Sequence, residues 1–141
     1  MAANINPIYS RKGDVQWPGG YMVTANTTAD LTSGTIYLLY TADATEGSYL
    51  EYLVLRPTPA VTTTVTVLRL WINNGSTTGT AANNTPFDEV DLPAVTASAT
   101  AATFGVTRRL EKRLNPGYRL YGTLGTASAN GWAPTVFGGP Y

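Results

Sequence analysis

The chain has 141 residues, 43% apolar and 13% charged, with nine basic residues balancing nine acidic ones and no Cys or His. Without thiolate or imidazole it has no zinc or iron–sulfur ligand set and no Ser–His or Cys–His catalysis, and its acidic residues make no EF-hand-like pattern for calcium. Its neutral balance argues against general nucleic-acid binding, which needs excess positive charge to displace counterions from phosphates.

In chain order, residues 1–13 hold no continuous apolar run, so neither a secretory signal nor a membrane anchor is expected there. No later stretch approaches the roughly 20 apolar residues that span a bilayer. Folding in a cytoplasm is the expectation. The segment carrying Ile5, Pro7, Ile8 and Tyr9 reads as an extended arm that orders on a neighbouring subunit, the alternative being a frayed terminus. Residues 14–141 form one domain, long enough to bury a conventional core without disulfides. Asn26, Asn74 and Asn83 open N-x-Ser/Thr patterns, which without a secretory route read as chance in a Thr- and Asn-rich chain.

From residue 14 onward, short runs rich in Thr, Val, Leu and Tyr alternate with Gly, Pro, Asn and Asp, the texture of an all-β sandwich or barrel. Eight strands are expected, at about 21–25, 34–41, 48–56, 61–72, 87–92, 102–109, 118–124 and 132–137. In 48–56 both phases are apolar, which predicts a strand covered on both sides. In 61–72 the apolar phase shifts from Val61, Val65 and Val67 to Leu68, Leu70 and Ile72. A bulge near Val67 or a change of burial partner would explain that.

Asn73-Asn74-Gly75 closes this run and opens a small, polar surface loop over 76–84. Residues 104–114 carry a helical alternative, because Leu110 and Leu114 are four apart, but Phe104 and Val106 alternate as in a strand. Leu114-Asn115-Pro116-Gly117-Tyr118 predicts a tight type II turn, with Pro fixing φ and Gly accepting positive φ. The expected core includes Leu38, Tyr40, Leu53, Leu55, Leu70, Ile72, Leu120 and Leu124. Antiparallel strands of this number predict a β-sandwich of jelly-roll type.

Three groups invite a chemical role. Arg108, Arg109, Lys112, Arg113 and Arg119 form a basic cluster that could grip phosphates, yet no aromatic is interleaved through it, so protein contact or solvated surface is the expectation. Asp88, Glu89 and Asp91 could be read as a cation site or a carboxylate pair, but strand alternation splits Asp88 from the other two. Trp17, between Gln16 and Pro18, reads as a surface anchor, with sugar stacking as the alternative, whereas Trp71 reads as core. The glycine pairs 19–20 and 138–139 lack the Lys and helix of a phosphate loop. No catalytic residue, metal site, cofactor or small-molecule ligand is expected.

The segments Gly47-Ser48-Tyr49-Leu50-Glu51-Tyr52-Leu53, Val67 through Gly75, Glu89-Val90-Asp91-Leu92-Pro93, and Asn115 through Tyr121 with Gly131-Trp132 carry a resemblance. In their order they resemble a family of small tailed-bacteriophage virion structural proteins. The resemblance implies a jelly-roll-like sandwich without enzyme activity, made in the host bacterial cytoplasm. It implies a decoration or cement protein on the phage head surface, with the major capsid protein as partner. A tail or fibre component and a carbohydrate-binding module are the alternatives.

Charge distribution adds an expectation about assembly. From Phe104 onward the chain carries five basic residues and one acidic, while residues 1–103 carry four basic and eight acidic. The resemblance implies a homotrimer, since shell decorations commonly dock on threefold positions, and the charges permit a ring that sets Arg108, Arg109, Lys112 and Arg113 of one subunit against Asp88, Glu89 and Asp91 of the next. The alternative is that these charges face water or pair within one chain.

Overall fold

The structure is a computed structural model, described over residues 12–28, 30–59, 62–128 and 130–141. Ile5, Pro7, Ile8 and Tyr9 of the expected arm lie outside the described residues. Eight strands follow in order: β1 (Asp14–Gln16), β2 (Tyr37–Thr41), β3 (Ser48–Pro57), β4 (Thr66–Asn73), β5 (Asn84–Leu92), β6 (Val106–Leu114), β7 (Arg119–Leu124) and β8 (Trp132–Pro140). They form two four-stranded antiparallel sheets, one ordered β1-β8-β3-β6 and the other β2-β7-β4-β5.

The pairings β1·β8, β2·β7, β3·β6 and β4·β5 describe one long hairpin folded at the β4–β5 turn and rolled up. That is the jelly roll expected from the sequence. Leu50, Leu53 and Leu55 of one sheet, Leu68, Leu70, Leu120 and Leu124 of the other, and Trp132 and Met22 at one end are fully buried between the layers.

The turns follow their residue chemistry. Tyr118 N–H donates to the Asn115 carbonyl at 3.0 Å while Gly117 sits at φ +73°, as a type II turn requires. At the β2–β3 turn, Gly47 sits at φ +76°, and a Cβ there would meet the Leu114 carbonyl oxygen at 2.4 Å. Only glycine fits that position.

Four expectations need correction. Residues 21–25 make single bridges instead of a strand, Met22 to Trp132 and Ala25 to Leu124. Because β8 and β7 belong to different sheets, a segment crossing from one to the other can pair with each only once, so it becomes a strap that seals the end of the sandwich. Leu38 is 42% exposed, because an irregularity between Leu38 and Tyr40 turns Leu39 and Tyr40 inward together.

Strand β3 is covered on one side only. A register shift at Glu51 leaves Leu50 and Leu53 inside and brings Tyr49 and Tyr52 to the outer face. The shift expected near Val67 lies between Leu70 and Trp71, and the extra residue belongs to the partner strand, at Phe87. Trp71 is buried as expected, but in a second cluster outside the β2-β7-β4-β5 sheet, with Leu31 and Tyr121.

Residues 104–114 resolve in favour of strand, since β6 runs to Leu114. Leu110 and Leu114 both face inward, because a spacing of four places two residues on one face of a strand as well as of a helix.

The strap and the loop after it are organised by Asn26, which is 3% exposed. Its amide donates to the Ser33 and Thr35 carbonyls at 2.9 and 3.1 Å. Its Oδ1 accepts from the Thr28 N–H and hydroxyl at 2.9 and 2.6 Å. Asn26→Ala strands these buried partners and is expected to lower unfolding free energy by about 2–3 kcal/mol. Urea denaturation checks this: the midpoint falls with the slope unchanged, whereas an unchanged midpoint contradicts the assignment.

Candidate docking surface

The candidate site grows out of β1. Val15 faces outward opposite Phe137 of β8, Phe137 lies opposite Tyr52 of β3, and Tyr52 lies opposite Arg109 of β6. The register thus draws one row across the outer face of the sheet. Its three apolar members are 43%, 38% and 39% exposed, in that order. Arg109 lies over the Tyr52 ring at 6.0 Å and pairs with Glu111, and Arg113 stacks on Tyr141 at 4.2 Å.

Two residues beyond Val15, just past the end of β1, stands Trp17, 66% exposed. The loop from Trp17 to Tyr21 stands between two hollows. One is completed by Ala133, Pro134 and Thr135 of β8, the other by Ile36, Tyr37 and Leu38 at β2. Among the described residues, no charged side chain lines either hollow. Just past the loop, the Tyr37 hydroxyl accepts from the Val23 and Thr24 amides at 3.1 and 3.0 Å. Trp17 is thus exposed, as its sequence context suggests.

The charged groups are arranged differently from the expected ring. Arg108 and Asp88 lie on the inward phase of the edge strands β6 and β5, opposite Leu53 and Leu70. They meet across the gap between the sheets in a bidentate pair, Nε to Oδ2 at 2.7 Å and Nη2 to Oδ1 at 2.8 Å. The carboxylate holds the guanidinium pKa above its ordinary value. Glu89 pairs with Arg69 at 2.9 Å. Asp91 and Lys112 are exposed. Two of the three acids assigned to a neighbouring subunit thus have partners within the chain, and a ring built on them must break those pairs.

On the opposite side of the sandwich, the Gln16 amide of β1 joins the backbone of β2. Its Oε1 accepts from Thr41 N–H at 2.8 Å and its Nε2 donates to the Thr41 carbonyl at 3.0 Å. Among the described residues, no three His, Cys, Asp or Glu side chains are grouped to hold a metal ion. No family model, no curated protein and no solved structure matches the chain.

Sequence reasoning found Trp17 but missed Val15, Tyr52, Phe137 and Tyr21. Val15 stands between Asp14 and Gln16, where an apolar residue reads as inward, and Phe137 follows Val136, which occupies the inward phase. Tyr52 was hidden by the register shift, which strict alternation cannot anticipate.

The buried Tyr40, next to the Gln16–Thr41 closure, gives a pH test. Burial pushes its hydroxyl up to about 12, the Ser48 hydroxyl opposing and the Asp14 carboxylate adding to the shift, from an ordinary value of 10.0. A raised folded-state pKa means full stability below pH 10 and a loss as pH climbs toward 12, because the unfolded chain gives up its proton first. Urea midpoints measured between pH 8 and 12 should fall more steeply in the wild type than in Tyr40→Phe. Equal slopes would contradict this.

Proposed function

We propose that the chain is a virion structural protein of a tailed bacteriophage that decorates the outer surface of the head and stabilises it, with the major capsid protein as partner. The observation that carries this reading is the loop from Trp17 to Tyr21. It presents a 66% exposed indole between two uncharged hollows on a scaffold of paired strands. Protein interfaces concentrate their affinity in such anchors, where an aromatic side chain seats in a matching pocket and neighbouring contacts exclude water. The resemblance carried by the segments 47–53, 67–75, 89–93 and 115–121 supports the same reading.

A carbohydrate-binding module is the second reading, favoured by the same two rings, since the faces of Trp17 and Tyr21 can stack on a sugar. Against it, the side chains lining the hollows offer few polar groups for sugar hydroxyls beyond Thr135, Tyr37 and Tyr21. Binding of labelled protein to expanded, tail-free heads, to isolated tails and to a glycan array separates the readings. Saturable binding to heads is expected, weakened roughly 30-fold by Trp17→Ala, the factor that a hot-spot contribution of about 2 kcal/mol implies. Binding to tails or glycans without binding to heads overturns the proposal.

A further inference from the structure

We infer that the outer face of the β1-β8-β3-β6 sheet is the docking surface for a second copy of this chain, the two copies meeting face to face about a two-fold axis along the row Val15–Phe137–Tyr52–Arg109. The inference does not depend on the phage reading, because it concerns the purified protein alone.

The first support is the contrast between the surfaces. The outer face of the other sheet is covered at its centre by the loop carrying Leu31 and Ile36, which buries Trp71 and Tyr121 and leaves Leu38 as an isolated exposed apolar residue at its edge. The strand edges are guarded against pairing. β1 is only three residues long, β5 carries Pro86 and an extra residue at Phe87, and β6 carries inward-phase Arg108 and Lys112 together with Glu111 at φ +49°. Among the described residues, the row across the outer face has no such cover.

The second support is charge. The hollow beside the row is lined by Tyr49, Glu51, Tyr52, Arg109 and Glu111, and Arg113 lies one step further along β6. The face thus mixes both signs around an apolar row. Arg109 and Glu111 pair within the chain and Arg113 stacks on Tyr141, so the face is neutralised internally; a second copy presents an equally neutral face, whereas a partner of one charge would bury charge without a match.

An isologous contact between two faces has its axis in the contact plane. With the axis along the row, Val15, Phe137 and Tyr52 meet their own counterparts, and each Arg109 comes within reach of Glu111 of the other copy. The area is adequate for a modest dimer. Four strands about 4.8 Å apart and a strand β3 about 33 Å long give two copies on the order of 1,000 Å² of buried surface, at the lower end for a specific interface.

The chain has no cysteine, so single-cysteine variants report the geometry cleanly. Sedimentation equilibrium of the wild type should show a monomer–dimer equilibrium with a dissociation constant on the order of micromolar. Phe137→Glu should raise it at least tenfold, while Phe104→Glu, at a site 57% exposed and away from the row, should leave it unchanged. Under mild oxidation Phe137→Cys should cross-link into a covalent dimer, and Thr107→Cys, off the axis, should not. Unchanged thermal midpoints establish that the variants are folded. A wild-type monomer at about 100 µM, a trimer, a dimer indifferent to Phe137→Glu, or equal cross-linking at 107 and 137 overturns the inference.

Discussion

A four-stranded sheet leaves two strands with a row of unpaired N–H and C=O groups, and two such sheets packed together also leave two open sides through which water can reach the core. How this chain closes those sides is the constraint on which the rest of the molecule depends. At the β1/β2 side, the Gln16 amide pairs with both backbone groups of Thr41, joining one sheet edge to the other. At the β5/β6 side, Arg108 and Asp88 close the gap with a charge-assisted bidentate pair. At the end, the strap through Met22 and Asn26 bonds to Trp132 in one sheet and Leu124 in the other. The Arg108–Asp88 pair is half open to water, so its net worth is about 0–1 kcal/mol. Its greater effect is on specificity, because two inward-phase charges on edge strands make pairing with a foreign strand costly.

With the edges closed, the association we propose falls to a sheet face and a loop. The long connection between β1 and β2 provides the strap, then the covering loop over Trp71, and leaves the loop from Trp17 to Tyr21 standing clear. The centre of one sheet face is thereby taken up in internal packing, while among the described residues the other is left uncovered. The left-handed backbone at Glu111 belongs to the same economy of form. For a residue with a Cβ that conformation costs roughly 1–2 kcal/mol. It coincides with the place where β6 slips against β3 and where Tyr52 is turned to the surface.

The sequence made the class of fold legible through local chemistry. Asn115-Pro116-Gly117 specifies its turn without help from distant residues, and the alternation in β4, β7 and β8 places Leu70, Leu120 and Val136 inside. What was not legible depended on relations between strands. Leu38 and Tyr52 leave their expected faces because of irregular pairing with β7 and β8, which single-chain periodicity cannot register. Residues 21–25 have strand composition but cross between two sheets, so topology overrides propensity there. The charges were read correctly as clusters, yet Asp88 and Arg108, twenty residues apart, are brought together only by the roll. Trp17 was legible as an exposed ring from its place between Gln16 and Pro18, although β1, which ends just before it, was not among the expected strands.

The central claim is that association uses one sheet face and one aromatic loop while the edges stay closed. Hydroxyl-radical footprinting of the free protein at low concentration and of the same protein assembled on virions tests it most directly, because the modified side chains are those in question. The account predicts strong protection of Trp17, Tyr21, Tyr52 and Phe137 on assembly, with Val65 and Phe104, exposed elsewhere, unchanged. Protection of Val65 and Phe104 with the first four left reactive would contradict it.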